Sequence, residues 1–182
     1  KENNVKILPV DSEHSAVFQS LQGYPNTIKK ILLTASGGPF FGKTRDEIYN
    51  APVSSTLKHP NWNMGAKVTV DSASMMNKGL EVIEASWLFG VKPEDICVMV
   101  HRQSIVHSMV QFEDNAVIAQ LSVPDMKLPI AYALQYPKRR YCGMEELDLF
   151  EVQSLTFEKP DLESFPCLRL AFEAMKTGGS MP

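Results

Sequence analysis

The sequence is poor in the features that mark membrane, nucleic-acid-binding and disulfide-rich proteins. No apolar run in its 182 residues approaches the roughly 18 residues that a membrane-spanning helix requires. The formal net charge is −3, so the chain has no basic excess of the kind that a general nucleic-acid binder shows. Its three cysteines lie far apart, without metal-site spacing and in an odd number for disulfides, which favours a reducing cytosol.

A dinucleotide-binding fingerprint is also missing from the chain. No G-x-G-x-x-G motif follows a strand pattern, so we predict no dinucleotide-binding domain within these residues. What is present is ordinary for a folded domain: 44% of the residues are hydrophobic and 21% are charged, which argues against intrinsic disorder.

Strand and helix patterns alternate in the first half of the chain, and antiparallel pairing is predicted in the second half. Strands are predicted at residues 5–10, 29–34, 66–70, 96–100, 105–112, 116–122 and 154–157. Helices are predicted at residues 12–21, 73–89 and 167–176, with shorter ones near 45–49 and within 124–137. This order favours an α+β fold, in which helices cover one face of a mixed β-sheet and another domain or a second subunit covers the other face.

Residues 9–18 read PVDSEHSAVF and place two carboxylates, Asp11 and Glu13, on either side of the Ser12 hydroxyl. One interpretation is purely structural, because Ser12 is a competent N-cap and acidic side chains in a first turn complement the helix dipole. The alternative is a binding site, and it requires further acidic side chains to converge on the same place.

A second polar group follows on the helix predicted at 73–89. Its apolar face comprises Met76, Leu80, Ile83 and Trp87, and its polar face comprises Ser74, Asn77, Lys78, Glu81 and Glu84. A solvated face with a Lys78–Glu81 ion pair would explain this pattern without any ligand. Gly79 lowers helix stability, which indicates that another group needs close approach there.

The order strand, Asp-Ser, helix occurs at ILPVDSEH and again at VTVDSASMMNKGLE. If both strands end at one sheet edge, Asp11, Glu13 and Glu81 converge, and their mutual repulsion requires a cation such as Mg²⁺ or Mn²⁺. A phosphosugar fits the remaining polar groups, and the turn at residues 36–38 would bring backbone N–H groups to its phosphate. The side-chain donors for such a ligand would be Ser12, Ser36, Ser72, Asn77 and Lys78.

The stretch from Phe40 to Gly65 is polar, aromatic and long for an irregular segment, which is typical of lids and binding loops. Within it, His59 is either a surface histidine or a site residue. Trp62 either packs onto the core or covers a site and excludes water from it. The residues alone leave both alternatives open.

Five blocks of the chain, taken in order, resemble the 1-deoxy-D-xylulose 5-phosphate reductoisomerase family. They are PVDSEHSAVFQ, LLTASGGPF, LKHPNWNMGAKVTVDSASMMNKGLEVIEASWLFG, QSIVHSMV and PDMKLPI. The resemblance implies an oxidoreductase that isomerises 1-deoxy-D-xylulose 5-phosphate with a divalent metal (Mg²⁺, Mn²⁺ or Co²⁺). It then reduces the product with NADPH to 2-C-methyl-D-erythritol 4-phosphate in non-mevalonate isoprenoid biosynthesis. A homodimer with no nucleic-acid or membrane partner is also implied.

The resemblance assigns roles to individual residues. Asp11, Glu13 and Glu81 correspond to metal ligands, and Ser12 and Lys78 to contacts with the substrate backbone. The phosphate end would be bound by Ser36, Ser72 and Asn77, with His59 closing the site and Trp62 covering the substrate. Met64, Gly65 and Met126 would approach the nicotinamide. Glu81, Lys78 and His59 are the implied catalytic residues.

The resemblance also has gaps. The family's N-terminal dinucleotide-binding domain, its Asn-Lys-Glu lysine and its C-terminal helical domain have no counterpart here. We therefore expect residues 1–140 to be a central catalytic and dimerisation domain. Within it, residues 37–66 form a segment that we call the flap, and residues 141–182 connect toward the absent helical domain. Arg102 stands where the family pattern has Pro, and we expect little functional meaning from that substitution.

Two other functions remain open from the residues. The chain would be a non-catalytic module that binds metal or phosphosugar or serves assembly, or a cofactor-free phosphosugar isomerase or aldolase. Under the reductoisomerase reading we expect a piece of a longer protein that is inactive alone. Its location would be the bacterial cytoplasm, or a plastid if a transit peptide lies outside the printed chain.

Overall fold

A computed structural model describes residues 5–23 and 28–179 of the chain. The described helices are α1 (Ser12–Ser20), α2 (Arg45–Tyr49), α3 (Val53–Thr56), α4 (Ala66–Ser74), α5 (Met76–Phe89), α6 (Lys127–Gln135), α7 (Leu149–Val152) and α8 (Pro166–Thr177). The described strands are β1 (Ile28–Ala35), β2 (Ile96–Val100), β3 (Val106–Phe112) and β4 (Val117–Leu121), and a short 3₁₀ helix spans Pro93–Asp95. The helix and strand content confirms the predicted α+β class.

The four strands form one mixed sheet in the order β2-β1-β3-β4. Strand β1 runs parallel to β2, with Ile31 opposite Ile96, and antiparallel to β3, with Ile31 opposite Val110. Strands β3 and β4 form the hairpin predicted at residues 113–115, whose turn holds Asn115 at φ 69°. Predictions for the strands at 29–34 and 96–100 are likewise confirmed.

The hydrophobic core lies between the helices and one face of the sheet. Ile31 and Leu33 from β1 are fully buried there, together with Val17 from α1, Val82 from α5 and Leu168 from α8. This packing buries apolar area that would otherwise contact water, which is the main stabilising term of the fold. The other face places Leu32 beside Cys97 and Met109, and Cys97 is exposed in a single chain. A dimer interface on that face stays a prediction.

Gly79 is the point of closest approach between α5 and α8. A Cβ atom at this position would lie 2.9 Å from Cβ of Ala171 and 3.3 Å from the carbonyl oxygen of Cys167. Real Cβ atoms essentially never approach another atom that closely. The interior glycine therefore allows α5 to pack closely against α8. This packing fixes the position of the helix that carries Lys78 and Glu81.

The strand predicted at residues 66–70 is wrong, because these residues form the first half of α4. The Val-Thr-Val run is typical of strands, but the buried residues of α4 are Thr69, Ser72 and Ala73, which follow helical spacing. Thr69 also bonds back to the Gly65 carbonyl through both its N–H and its hydroxyl. The following helix begins at Met76 rather than Ala73, because Met75 is left-handed at φ 59°.

Two further strand predictions are wrong. Residues 5–10 join no described strand, and the side chains of Val5 and Ile7 are more than two-thirds exposed, at 75% and 72%. Side-chain contacts hold this segment instead, since Lys6 Nζ lies 2.8 Å from the Tyr136 hydroxyl. Residues 154–157 likewise contribute no strand, because backbone pairing there is a single bridge between Val100 and Glu158.

The helix ends follow the predictions with one correction. The N-cap of α1 is Asp11, whose carboxylate accepts from the N–H groups of Glu13 and His14, and not Ser12 as predicted. Gly90 and Gly178 end α5 and α8 as expected. The stop predicted for α1 includes Tyr24 and Pro25, which lie outside the described residues.

Candidate active site

A cavity of about 310 Å³ lies beside the start of α1, the end of α4 and the first half of α5. The last residues of β1 and residues of the flap also line it. Its lining brings together most of the predicted site residues. These are Asp11, Ser12, Glu13, Ser36, His59, Trp62, Met64, Ser72, Asn77, Lys78, Glu81 and Met126. Gly65 is not part of the lining and forms the exposed N-cap of α4.

Three carboxylates from two helices meet at one end of the cavity. Asp11, Glu13 and Glu81 each offer an oxygen, and these oxygens all lie within 4.8 Å of one another. We call these residues the acidic cluster. Carboxylate oxygens at this spacing are the donor set that Mg²⁺ or Mn²⁺ prefers, with water or substrate completing the coordination. The residues therefore fit a divalent cation.

Lys78 lies inside the acidic cluster, with its side chain 1% exposed. Its Nζ donates to Glu13 Oε1 at 2.9 Å and to Glu81 Oε2 at 2.5 Å. Burial by itself lowers the pKa of this ammonium group, but the charges of Glu13, Glu81 and Asp11 outweigh burial and raise it. Lys78 is therefore a permanent positive charge that neutralises part of the cluster.

The carboxylates differ in their affinity for protons. Burial and the charge of Glu13 raise the pKa of Asp11 to about 6 and that of Glu81 well above its usual range. Burial also acts on Glu13, but the charge of Lys78 and the hydroxyl of Ser12 outweigh it and lower its pKa to about 2. The cluster thus holds more negative charge than Lys78 alone can balance, which favours a bound cation.

His14 is a functional candidate that sequence reasoning left without a role. The ring is fully buried, and Nε2 donates to the Glu81 carbonyl at 3.0 Å. Its Nδ1 lies 3.3 Å from Asp11 Oδ1 and 3.5 Å from Glu84 Oε2. His14 therefore ties the start of α1 to α5 behind the acidic cluster. Its position three residues after Asp11, on the inward face of α1, was the available signal.

The other end of the cavity is built on a turn of small residues at 35–39. The Ser36 hydroxyl accepts from the Gly38 N–H at 3.2 Å and lies 2.8 Å from His59 Nε2. His59 Nδ1 accepts from the N–H groups of Asn61 and Trp62, so the ring proton is on Nε2 and is donated to Ser36. Burial and the charge of Arg102 lower the pKa of His59, which keeps this neutral tautomer.

The turn at 35–39 has little free space around it. Gly38 lies at φ +66°, and a Cβ there would be 2.5 Å from the Ser72 carbonyl oxygen. Only glycine fits this position, because both the backbone angle and the contact exclude a side chain. Ser36 is thereby held against the end of α4.

Trp62 lies over the cavity and contacts a second histidine that the sequence interpretation did not single out. Its ring meets that of His107 edge to face, with centroids 6.0 Å apart. His107 Nε2 lies 2.8 Å from the Ser122 hydroxyl, and burial lowers the pKa of His107. His101 and Ser104 also line the cavity. A histidine inside the buried strand QSIVHSMV was the signal for His107.

Helices α4 and α5 are separated by Met75 alone. Met75 is buried and left-handed, a conformation that is costly for a residue with a side chain. Ser72 lies before this residue, and Lys78 and Glu81 lie after it, and all three line the cavity. One change of direction therefore allows a single stretch of chain to reach both ends of the site.

The fold and the cavity define an α+β domain with a candidate divalent-metal site beside a region suited to an anionic ligand. Two family models match this chain. Residues 7–89 match the 1-deoxy-D-xylulose 5-phosphate reductoisomerase C-terminal domain, and residues 121–182 match the DXP reductoisomerase C-terminal domain. The chain belongs to the 1-deoxy-D-xylulose 5-phosphate reductoisomerase family.

Curated relatives support the same assignment. The 1-deoxy-D-xylulose 5-phosphate reductoisomerase of Clostridium perfringens is 64% identical over 183 residues, which cover 100% of this chain and 48% of that protein. The enzyme of Acetivibrio thermocellus is 61% identical over 179 residues, which cover 98% and 47% respectively. The chain thus spans about half the length of the curated relatives it matches.

Solved structures of the family have the same fold. A crystal structure of DOX-P reductoisomerase in complex with NADPH, fosmidomycin and magnesium matches with a TM-score of 0.92 and 47% identity, over 97% of this chain and 46% of that one. The reductoisomerase from Zymomonas mobilis in complex with NADPH matches with a TM-score of 0.89 and 42% identity, over 98% and 46%. Among the helices of the described ranges, none has the length and apolar character to cross a membrane.

Proposed function

We propose that this chain supplies the metal- and substrate-binding part of a 1-deoxy-D-xylulose 5-phosphate reductoisomerase. The complete enzyme would isomerise 1-deoxy-D-xylulose 5-phosphate and reduce the product with NADPH to 2-C-methyl-D-erythritol 4-phosphate, in non-mevalonate isoprenoid biosynthesis. The observation that carries the proposal is the convergence of Asp11, Glu13 and Glu81 on one cavity that also holds Lys78. Family membership supports the same reaction.

The acidic cluster would hold the metal, which is Mg²⁺, Mn²⁺ or Co²⁺. A divalent ion there supplies Lewis-acid polarisation and orientation of substrate oxygens. Lys78 keeps part of the cluster neutral and presents an ammonium group to a substrate oxygen. Ser12, whose hydroxyl now donates to Glu13, lies at the cavity wall where it would orient the sugar backbone.

The phosphate end would be bound at the turn of residues 35–39. Ser36, Ser72 and Asn77 line the same cavity, and His59 already donates to Ser36, while the Asn77 amide also reaches Glu81. Trp62 would exclude water from the reacting carbons, where an aldehyde formed by the rearrangement must survive until reduction. Glu81, Lys78 and His59 are the residues to which we assign catalytic contacts.

The nicotinamide would enter from the side of Met64 and Met126, which line the cavity, with Gly65 at its edge. Most contacts to NADPH would come from a dinucleotide-binding domain of the complete enzyme. Residues 1–140 would form the catalytic and dimerisation domain, and residues 141–182 the connection toward a helical domain. The sheet face around Cys97 would lie at a homodimer interface, and the enzyme would work in the bacterial cytoplasm.

The direct test is Glu81→Gln in the complete enzyme. We expect turnover to fall by more than about a hundredfold, because loss of a metal ligand should exceed the 10- to 100-fold cost of losing a group that only supports one. NADPH oxidation with deoxyxylulose phosphate measures turnover, and calorimetric titration with Mg²⁺ measures metal affinity. Glu94→Gln, at an exposed position outside the cavity, is the matched control.

Two results would overturn the proposal. Full turnover by Glu81→Gln would remove the acidic cluster from the mechanism. Mg²⁺ binding by the complete wild-type chain without any turnover would favour a non-catalytic metal- or phosphosugar-binding module. We further expect the 182-residue chain alone not to oxidise NADPH.

A further inference from the structure

We propose that Arg102 is a positioning residue that fixes the turn at 35–39 and the flap relative to each other. The inference rests on the proposed function, since it assumes that Ser36 and His59 bind the phosphate end of the substrate. Arg102 is not part of the cavity lining, so it would act through these two residues rather than by touching the ligand.

The guanidinium group of Arg102 donates hydrogen bonds to the backbone of the turn. Arg102 Nη1 donates to the Gly38 carbonyl at 2.8 Å and to the Ser36 carbonyl at 3.2 Å. These bonds are charge-assisted, which makes them stronger than bonds between neutral groups. The backbone around Ser36 is thus held by a side chain that is not part of the cavity lining.

Other residues pack closely against the two glycines of the turn. A Cβ at Gly37 would lie 2.9 Å from both Phe41 and Val100, and one at Gly38 would meet the Ser72 carbonyl oxygen. Besides these close neighbours, the turn is held by the two arginine bonds, by the His101 N–H on the Ala35 carbonyl and by the hydrogen bond between His59 and Ser36. Arg102 is the charged group among these contacts, so we expect its loss to loosen Ser36.

Arg102 also reaches the flap at both of its ends. The guanidinium carbon lies 4.9 Å from the centre of the Phe41 ring, near the start of the flap. Near its end, Asn61 Nδ2 donates to the Arg102 carbonyl and to Ser104 Oγ. Ser104 itself has φ 54°, so the loop that receives Asn61 is held in a costly backbone conformation.

These contacts meet at His59. The ring accepts from the N–H of Asn61 at Nδ1 and donates to Ser36 at Nε2, so it connects the flap to the turn. The positive charge of Arg102 disfavours protonation of His59 and supports that neutral form. The guanidinium group of Arg102 thus holds the turn and contacts Phe41, while the backbone carbonyl of the same residue receives Asn61 from the end of the flap.

The test compares Arg102→Met, Arg102→Lys and the control Arg140→Met in the complete enzyme. Arg140 is exposed and does not line the cavity. Amide hydrogen exchange is measured in residues 36–42 and 59–64, with strand β3 as reference. Calorimetry with inorganic phosphate, the KM and kcat for deoxyxylulose phosphate, and the pKa of His59 by NMR are measured alongside.

For Arg102→Met we expect exchange to rise about tenfold or more in residues 36–42, because two charge-assisted hydrogen bonds are lost. The rise in residues 59–64 should be smaller, because Asn61 keeps its bond to the carbonyl of residue 102, and exchange in β3 should not change. Phosphate affinity should fall and KM should rise by a similar factor, with a smaller change in kcat. The pKa of His59 should rise. Arg102→Lys should restore that pKa but only part of the phosphate affinity, because an ammonium cannot reproduce the guanidinium geometry.

Unchanged exchange and phosphate affinity in Arg102→Met would overturn the proposal. An equal increase of exchange in β3 would also overturn it, because the arginine would then only stabilise the fold. If the wild-type enzyme does not turn over deoxyxylulose phosphate, the proposed function fails. The exchange and His59 measurements still decide whether Arg102 positions the turn.

Discussion

The two ends of the cavity are built in different ways. The acidic cluster stands on the first turn of α1 and the body of α5, with Lys78 and His14 buried behind it. The opposite end consists of a glycine turn and the flap, which long-range hydrogen bonds from His59, Asn61 and Arg102 hold in place. The end that we propose binds metal is therefore preorganised by helices, whereas the end that we propose binds phosphate depends on a few bonds between loops.

The largest effect is expected from Lys78→Met, which tests the preorganised end. Removing the ammonium leaves Glu13 and Glu81 buried without their partner, so we expect the free energy of unfolding to fall by about 3 kcal/mol in the absence of metal. Urea unfolding measures this change. Because a divalent cation can replace the lost charge, Mg²⁺ should restore more stability to Lys78→Met than it adds to the wild type.

Lys67→Met provides the control for that substitution. Lys67 is 78% exposed and forms an i,i+4 pair with Asp71, so we expect a loss below about 0.5 kcal/mol. If Lys78→Met were as stable as Lys67→Met without metal, the charge of Lys78 would not be needed to balance Glu13 and Glu81. The proposed difference in preorganisation between the two ends of the cavity would then be wrong.

A smaller effect, confined to the flap, is expected from lowering the pH. The pKa of His59 in the folded chain lies below its ordinary value of 6.5, so the stability it contributes is present above 6.5 and is lost as the pH falls through the lower folded value. Protonation at Nδ1 removes the acceptor for the N–H groups of Asn61 and Trp62. Exchange in residues 59–64 should therefore accelerate about fivefold at pH 5 relative to pH 7, after correction for intrinsic rates.

Trp62 provides a second measurement of the same change. In a Trp87→Phe background, which removes the exposed tryptophan, the remaining fluorescence reports on Trp62 over the cavity. The pH response should be absent in His59→Ala. A response of equal size in that variant would assign the titration to another group.

The smallest loss of stability is expected from Asp11→Asn. Asparagine caps a helix about as well as aspartate, and it removes a buried negative charge that the raised pKa of Asp11 shows to be unfavourable, so the free energy of unfolding should not fall. Affinity for Mg²⁺ should nevertheless fall, because one carboxylate of the acidic cluster is lost. Equal Mg²⁺ affinity in the wild type and Asp11→Asn would reduce Asp11 to a capping residue.

Features encoded by neighbouring residues could be predicted from the sequence. The hairpin at Asn115 and strand β1 follow from short patterns that no distant contact reverses. The apolar face predicted for α5 is wrong, because Leu80 and Trp87 are 45% and 83% exposed, whereas Lys78 and Glu81 of the predicted polar face are buried. The convergence of the acidic cluster was also predicted, but the repeated strand, Asp-Ser, helix order does not explain it, because Asp71 and Ser72 lie within α4 and Glu81 lies in the body of α5. The strand that led to this reasoning at residues 66–70 was nevertheless wrong, since α4 buries Thr69 and Ser72 with helical spacing.

Features that depend on distant contacts could not be predicted in the same way. Arg102 was noted only as a departure from the family pattern with little expected meaning, yet it bonds to carbonyls more than 60 residues earlier in the chain. His14 gains its importance only when Glu81 and Glu84 of α5 pack against α1. The choice of Asp11 over Ser12 as N-cap likewise depends on side-chain contacts, because the Asp11 carboxylate accepts from the N–H groups of Glu13 and His14 while the Ser12 hydroxyl donates to the Glu13 carboxylate.

The left-handed residue Met75 links the two helices whose residues line both ends of the cavity. Its backbone conformation sets the direction in which α5 leaves α4, and so contributes to the separation between Ser72 on one side and Lys78 and Glu81 on the other. Under the proposed function, this separation would contribute to the choice of substrate length, together with the turn and the flap that carry Ser36 and His59.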